Sequence, residues 1–271
     1  MQPSIKETIR TRRSVRTFDG RALSAEDNTA LEAYLAQLQN PFGVPVTFRL
    51  MNAKENNLSS PVIIGEQAYL AAKVARVANY EIAFGYSFEK ACLYAWSRGV
   101  GTVMLAASLS RSAFETAMAV QPDEVLPVAS PVGYPAEKKS VRERLMRKGL
   151  KADERKAFDT LFFRQSFDTP LQKADAGDFY DALEALRLAP SATNGQPWRV
   201  ILDGDTVHFY EAKTMRDNAL GDIQKVDIGI ALAHFDLVCE EDGIKGSFVF
   251  ADPGLAAPEN TRYIVSFRRE R

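Results

Sequence analysis

The sequence predicts an α+β fold that is duplicated within one chain. Helical and strand-like segments are interspersed along the 271 residues. Apolar residues make up 46 % of the chain, which is ample for a packed core. Short blocks of sequence also recur at fixed spacings, and such self-similarity indicates two copies of one structural unit.

The elements of the first half follow from these patterns. Helices are predicted over 4–13, 24–38, 70–98 and 111–120. Strands or extended segments are predicted over 46–52, 60–67, 99–105 and 124–135. Ser24 is a candidate N-cap, with Asp27 in the first turn of its helix. The stretch 70–98 has little polar face, so we expect it to be buried in the core.

The second half repeats much of this order. A helix over 179–188 ends at the stretch "APSATNGQPWRV" (189–200), and a hairpin turns through Asp203-Gly204-Asp205. A helix over 226–246, ended by Gly243, precedes closing strands over 246–253 and 261–268. The highly charged segment 137–156 is interpreted as a solvated linker or an exposed helix. In the alternative interpretation, some of its arginines face a ligand.

The repeat is visible without gaps at two spacings. At 152 residues, Leu31-Glu32-Ala33 matches Leu183-Glu184-Ala185, Pro45 matches Pro197, and Arg12 and Ser14 match Arg164 and Ser166. At 144 residues, Gly85 and Gly99 match Gly229 and Gly243. We therefore predict two copies, 1–150 and 151–271, related by an approximate two-fold axis, with apolar helices 86–98 and 228–242 packed on each other.

Composition excludes several classes of function. The net charge of −1 and the pI of about 6.2 give no basic field for nucleic acid or an acidic membrane. Neither a signal-peptide pattern nor an apolar run of 18 residues is present, so we expect no membrane association. Cys92 and Cys239 lie in apolar helical runs and form no disulfide framework, which indicates a reducing cytoplasm.

Familiar catalytic patterns are also missing from the sequence. It has no metal-ligand cluster, serine triad or Walker loop, and "GVGTV" (99–103) lacks the third glycine of a dinucleotide fingerprint. His208 is predicted to be a strand residue. His234, in the last long helix, is interpreted as a packed core histidine rather than as a general base.

Two polar stretches are the candidate site. Arg12, Arg13, Ser14 and Arg16 offer guanidinium forks and a hydroxyl that suit phosphate oxygens, although arginines at a helix C-terminus also favour the helix dipole. Ser191, Asn194 and Gln196 offer hydroxyl and carboxamide groups that suit a flat heterocycle or a polyol, although turn chemistry explains them as well.

Each copy retains only one of the two stretches. Gln39, Phe42 and Val44 stand at the first-copy positions of Ser191, Asn194 and Gln196, and Asp168 stands at the second-copy position of Arg16. A carboxylate repels phosphate, and Phe42 and Val44 cannot form hydrogen bonds through their side chains. We therefore expect one ligand site per chain rather than two.

Together these stretches resemble the FMN-dependent nitroreductases. The resemblance rests on "RRSVR" (12–16), "PSATNGQPW" (190–198), "GVGTVMLAAS" (99–108) and "VGYPAEKKSVRER" (132–144), and it extends over nearly the whole chain. It is closest to a subgroup in which one chain carries both halves of the family's dimer, so a monomer suffices. Where relatives often have Gly-Gly, this chain has Ala106-Ala107, which tolerates positive φ poorly.

The resemblance implies FMN as cofactor and a set of residues that bind it. They are Arg12, Arg13, Ser14, Arg16, Met104, Leu105, Ala106, Ala107, Arg142, Arg144, Pro190, Ser191, Asn194 and Gln196. It further implies hydride transfer from NAD(P)H to flavin N5 and on to a nitroaromatic, a quinone or a related acceptor, with no catalytic side chain. The alternatives are another flavin reaction, such as reductive dehalogenation, and a flavin-storage or regulatory protein with little turnover.

Overall fold

Two β-sheets and a central pair of long helices form the framework of the protein, in a computed structural model that describes residues 3–270. The helices are α1 (Ile5–Thr11), α2 (Ala25–Gln37), α3 (Tyr80–Ser97), α4 (Arg111–Ala117), α5 (Val141–Gly149), α6 (Phe158–Leu161), α7 (Tyr180–Leu188) and α8 (Ile223–Glu241). The strands are β1 (Val46–Asn52), β2 (Ala68–Ala75), β3 (Gly101–Thr102), β4 (Glu124–Val125), β5 (Ala129–Gly133), β6 (Phe162–Arg164), β7 (Trp198–Asp203), β8 (Thr206–Ala212), β9 (Gly246–Val249) and β10 (Thr261–Arg269).

The two sheets share one plan, which confirms the duplication. The first has the order β1-β2-β5-β3, with β4 also pairing with β2, and the second has the order β6-β7-β8-β10-β9. Each half contains an antiparallel hairpin that follows a proline, then a long helix, then a short strand beside the last long strand. Pro45 and Pro197 precede the two hairpins, as the spacing of 152 residues predicts.

The halves meet where α3 crosses α8, and a glycine of each helix makes the crossing close. A Cβ added to Gly85 would lie 2.0 Å from the carbonyl oxygen of Val226, and one added to Gly229 would lie 2.2 Å from that of Ile82. Most residues of both helices are buried. The predicted packing of the two apolar helices is therefore confirmed, and the glycines matched at a spacing of 144 residues lie at the crossing.

Sequence signals at helix ends are confirmed. The Ser24 hydroxyl accepts a hydrogen bond from the backbone N–H of Asp27 at the start of α2. Gly99 and Gly243 have positive φ angles of 78° and 71° just beyond α3 and α8, the backbone region where glycine is strain-free.

The predicted helix over 70–98 is wrong in its first part, because 68–75 forms β2. This strand lies between β1 and β5, and Tyr69, Leu70, Ala71 and Ala72 are all buried. A strand covered on both faces has no alternating polar pattern, so periodicity alone does not separate it from a buried helix. The predicted strand over 60–67 is mostly turn, with an isolated bridge between Ile64 and Thr17.

One pairing inferred from the repeat is also wrong. Ser14 forms a parallel bridge with Thr102 beside β3, whereas β6, which contains Arg164, pairs with β7 at the opposite edge of the second sheet. Arg12 and Ser14 therefore have no structural counterpart in Arg164 and Ser166. The sequence matches of Arg12 and Ser14 at a spacing of 152 residues therefore do not correspond to equivalent positions in the two sheets.

The crossing of α3 and α8 yields a test of stability. Replacing Gly85 or Gly229 by alanine should destabilise the protein by ~1–3 kcal/mol or more, since the added methyl collides with backbone that cannot move aside. The measurement is chemical denaturation of each variant. Gly149→Ala is the matched control, because its Cβ would meet nothing within 4 Å; an equal loss there would contradict the packing argument.

Candidate functional site

The segment after α1, which carries Arg12 and Arg16, has a backbone that is fixed by its pairing beside β3. The N–H of Val15 donates to Thr102 O at 2.9 Å, and the Val15 side chain is only 1 % exposed, in a small core with Phe18. Side chains alternate along extended backbone, so Ser14 and Arg16 emerge on the face opposite to Val15. Arg13 instead lies over the ring of Trp96, 5.9 Å from its centroid.

The guanidinium groups of Arg12 and Arg16 have buried nitrogens and few hydrogen-bond acceptors. Arg12 Nε lies 3.6 Å from Glu89 Oε1, and the Arg12 side chain is 6 % exposed. Among the described residues, no hydrogen-bond acceptor meets Nε of Arg12 or Nε and Nη1 of Arg16, although these atoms are buried. Burial lowers the pKa of Arg16; Glu143 opposes that shift, and Arg147 and Arg12 add to it. An anion with several oxygens is the ligand that such donors fit.

Helix α5 docks on this segment through its buried acid. Ser140 caps the helix by accepting from the N–H of Glu143, and Glu143 Oε2 accepts from Thr17 Oγ1 at 2.7 Å and from the N–H of Arg16 at 3.3 Å. One turn later, Arg147 lies on the same helix face and within electrostatic range of Arg16.

Arg142 and Arg144, the predicted residues of α5, have exposed side chains, and Arg144 lines one cavity with Arg147. Arg147, which was not predicted, is the arginine of α5 within electrostatic range of Arg16. The signal for it was in the sequence: the Ser140–Glu143 spacing is a capping pattern that orients the helix, and Arg147 follows Glu143 by four residues.

Arg155, from the linker after α5, is a further cation that sequence reasoning missed. Its guanidinium donates to Leu188 O at 3.1 and 3.3 Å, to Ala152 O and Glu154 O, and to Asn194 Oδ1 at 3.3 Å. None of these acceptors is a carboxylate. Burial lowers the pKa of Arg155, and so does the positive charge of Arg12. The linker therefore places the half-buried guanidinium of Arg155 between the 190–196 loop and Arg12.

The loop 190–196 uses its carboxamides on that linker. Asn194 Nδ2 donates to Lys151 O at 2.8 Å and to Glu154 O at 3.0 Å. Gln196, which is 3 % exposed, accepts from the N–H of Lys156 through Oε1 at 2.8 Å. The two amides therefore position the 151–156 segment, and with it Arg155. The two carboxamides therefore bond to backbone groups, which agrees better with the turn-chemistry alternative than with direct binding of a ligand.

The backbone of the loop is held in an uncommon conformation. Thr193, Asn194 and Gln196 have positive φ angles of 50°, 58° and 51°. Ser191 Oγ accepts from the N–H of Gln196 at 2.9 Å, and the buried Asp227 carboxylate accepts from the N–H of Ala192. Burial raises the pKa of Asp227 well above its usual range. Pro190 is half-buried at the start of the loop. Strain of this kind persists only where the surroundings hold it.

Residues 104–107 run on from β3, beside the arginine segment. The N–H of Leu105 donates to Ala129 O at 2.8 Å, and its side chain is buried. Neither Ala106 nor Ala107 has a positive φ, so the alanines are accommodated without strain. In the described part of the chain, the N–H groups of Met104, Ala106 and Ala107 donate to no protein acceptor, which leaves three backbone donors available.

The corresponding place in the other copy is filled by apolar packing. Phe42 makes an edge contact with Tyr86, ring centroids 5.6 Å apart, and lies 5.5 Å from Phe248 of β9. Val44 is buried in the main core. Asp168 lies exposed after β6, at the far edge of the second sheet.

The two histidines lie in the interior. His208 is a strand residue of β8, as predicted, and its Nδ1 lies 2.7 Å from Ser266 Oγ. His234 is buried in the middle of α8, which agrees with the prediction of a core residue. Across residues 3–270 no group of three or more His, Cys, Asp or Glu side chains is arranged to hold a metal ion, and no helix is long and apolar enough to cross a membrane.

The chain is similar to several solved structures, and the first of those that follow supports the fold over its whole length. A solved candidate nitroreductase of Thermotoga maritima is 20 % identical, with 99 % of this chain and 94 % of that chain covered and a TM-score of 0.66. A nitroreductase family protein of Clostridium novyi is 17 % identical over 51 % of this chain and 90 % of its own, with a TM-score of 0.42. A nitroreductase of Bacteroides fragilis, solved with bound FMN, is 16 % identical over 51 % and 92 %, with a TM-score of 0.41.

A comparison with curated protein sequences gave no match. The model of the family described as "Putative TM nitroreductase" matches residues 4–239. This match includes the arginine segment, the 104–107 segment, α5 and the 190–198 loop. Because it spans most of the chain, the protein belongs to this nitroreductase family.

Proposed function

We propose that the protein is an FMN-dependent oxidoreductase of nitroreductase type. The observation that carries the proposal is the pair Arg12 and Arg16, whose buried guanidinium nitrogens lack acceptors. Arg155, held by the 190–196 loop of the other half, adds a third charge near Arg12. A phosphate monoester supplies the oxygens that these donors need, and the sequence has no dinucleotide fingerprint that would favour FAD.

Each part of the chain then has a role toward the cofactor. Arg12, Ser14 and Arg16 would hold the phosphate and ribityl end, with Arg147 adding positive charge. The free N–H groups at Met104, Ala106 and Ala107 would donate to the edge of the flavin ring, and stabilise negative charge there. Bound FMN would supply the chemistry of accepting and donating hydride. No side chain is assigned a catalytic role.

The reaction partners follow from the same proposal. NAD(P)H would be the reductant, and a nitroaromatic, a quinone or a related small molecule would be the acceptor. Both halves of the site lie in one chain, so a monomer would suffice. The buried free thiols of Cys92 and Cys239 support a reducing, cytoplasmic setting.

Steady-state oxidation of NADH and NADPH, with nitroaromatic and quinone acceptors, tests the activity. Turnover that depends on added FMN supports the proposal. Bound FMN without turnover would instead favour a storage or regulatory protein, and turnover only with a halogenated acceptor would favour reductive dehalogenation.

The arginines yield a prediction with two readouts. Arg12→Met and Arg16→Met should each weaken FMN binding by ~1–3 kcal/mol, the cost of a lost charged hydrogen bond. Stability of the cofactor-free protein should change in opposite directions, since Arg16 is buried without an acceptor while Arg12 pairs with Glu89. Flavin titration and denaturation measure the two effects. Arg10→Met, on the exposed face of α1, is the control; unchanged FMN affinity in both site variants would refute the assignment.

The loop yields a second prediction. Asn194→Gly keeps the positive φ strain-free but removes the anchors of the 151–156 segment, so FMN affinity should fall. Phe42→Ala should cost about 2–3 kcal/mol of stability, below the ~3–5 kcal/mol of a fully buried phenylalanine, and leave affinity unchanged. Thr193→Ala serves as the control for the loop. Normal FMN affinity in Asn194→Gly would limit the carboxamide to turn chemistry.

Stoichiometry is the third prediction. One flavin should bind per chain, because apolar packing of Phe42 fills the second position and, within residues 3–270, no arginine segment pairs with β9. Equilibrium titration, with chain concentration measured independently, gives the ratio, and acid release followed by mass measurement identifies the flavin as FMN. A ratio near two, or a released mass of FAD, would contradict the proposed site.

A further inference from the structure

A buried chain of three polar side chains runs from the arginine segment to the centre of the molecule. Arg12 Nε lies 3.6 Å from Glu89 Oε1 of α3, and the same oxygen lies 2.8 Å from His234 Nε2 of α8. Glu89 is fully buried and His234 is 1 % exposed. The proposed function uses only the first of these three residues.

The hydrogen bonds fix how the chain is held. His234 Nδ1 lies 3.0 Å from Ala185 O of α7, and a carbonyl only accepts, so Nδ1 carries a hydrogen and donates it. His234 Nε2 and Glu89 Oε1 then share the remaining contact, with a proton between them. This geometry anchors Glu89 to the second half of the chain while Glu89 itself belongs to the first half.

Glu89 contacts Arg12 on one side of its guanidinium only. The contact at Nε is an ion pair at 3.6 Å, too long for a hydrogen bond, and within residues 3–270 no acceptor bonds to Nη1 or Nη2 of Arg12 either. Glu89 therefore contacts the Arg12 guanidinium at Nε, and the two terminal nitrogens remain available to a ligand. Arg147 pairs through a terminal nitrogen with Asp153, whereas Glu143 bonds to the backbone of Arg16 and not to its guanidinium. Arg12 therefore differs from both in having its carboxylate at Nε.

We propose that Glu89 and His234 are positioning residues, which orient the Arg12 fork toward an oxyanion across the junction of the two halves. The ligand class is a phosphate group, and identifying it with the phosphate of FMN rests on the proposed function. His234 acts through Glu89, and Glu89 acts through Arg12. Neither touches the flavin.

Positioning and simple charge predict different effects for Glu89→Gln. Because Glu89 and His234 share one proton, the pair is neutral before and after the substitution, and charge alone predicts phosphate binding that is unchanged or slightly tighter. If the carboxylate instead holds the fork in place, its loss frees the guanidinium to other rotamers and phosphate binding weakens. The sign of the change therefore distinguishes the two explanations.

The experiment compares FMN with riboflavin, which lacks the phosphate. Glu89→Gln removes the ion pair that holds the Arg12 fork, so FMN binding should weaken by about tenfold, while riboflavin affinity should stay within about twofold. His234→Asn retains a donor for Ala185 O but loses the contact with Glu89, so the ratio of the two affinities should fall in the same direction. A general loss of packing would lower both affinities together and leave their ratio unchanged.

Asp236→Asn is the matched control. Asp236 is a half-buried carboxylate of α8 that accepts from the Tyr86 hydroxyl of α3 at 2.5 Å, and it contacts no arginine within residues 3–270. Its loss should alter stability without changing the ratio. An unchanged ratio in Glu89→Gln, or tighter FMN binding, would overturn the inference.

Inorganic phosphate supplies an arm that does not depend on flavin. Phosphate should raise the thermal midpoint of the unmodified protein, and this shift should be lost in Arg12→Met and reduced in Glu89→Gln. If the unmodified protein binds no flavin but shows this pattern, the proposed function fails and the inference stands. If phosphate gives no shift and FMN no binding, both are overturned.

Discussion

The close crossing of α3 and α8 at Gly85 and Gly229 is the constraint on which the rest of the structure depends. Each glycine lets its helix backbone contact the backbone of the other, so the two halves dock at a fixed depth. That depth sets the distance from the arginine segment of the first half to the 190–196 loop of the second. It also brings Glu89 of α3 to 2.8 Å from His234 of α8. Packing at the centre and polar geometry at the site are thus set by the same contact.

The site gathers positive charge that the protein neutralises only in part, at Arg12 by Glu89 and at Arg147 by Asp153. Arg16 has no hydrogen-bonded carboxylate among the described residues, and Arg155 donates only to carbonyl and amide oxygens. Burying such groups costs stability unless a ligand supplies the missing acceptors. The cost is tolerated at one place in the duplicated fold, while the equivalent place in the other copy is filled by the aromatic packing of Phe42 on Phe248. The two copies therefore differ at this position: one carries the proposed ligand site and the other a stabilising contact.

The linker 151–156 connects the 190–196 loop to the arginine segment. Asn194 and Gln196 hold its backbone, and it carries Arg155 to the Arg12 side. An exposed, highly charged segment is ordinarily a solvated surface, and Arg142 and Arg144 of α5 fit that description. Glu143 and Arg147 do not fit it. Glu143 is buried, and Arg147 lies one turn later on the same face of α5, so this face is directed toward the protein.

The sequence by itself determined the duplication, the caps at Ser24 and Gly243, and the two stretches that form the candidate site, because these are local patterns that one segment carries alone. It did not determine β2, whose burial on both faces hides the strand period, or the edge at which β6 pairs, because strand partners are chosen by contacts remote in sequence. Nor did it indicate that the amides of the 190–196 loop would bind the linker, or that His234 would meet Glu89. Those contacts join residues 39 to 145 positions apart, and only the docking of the two halves decides which donors and acceptors remain free.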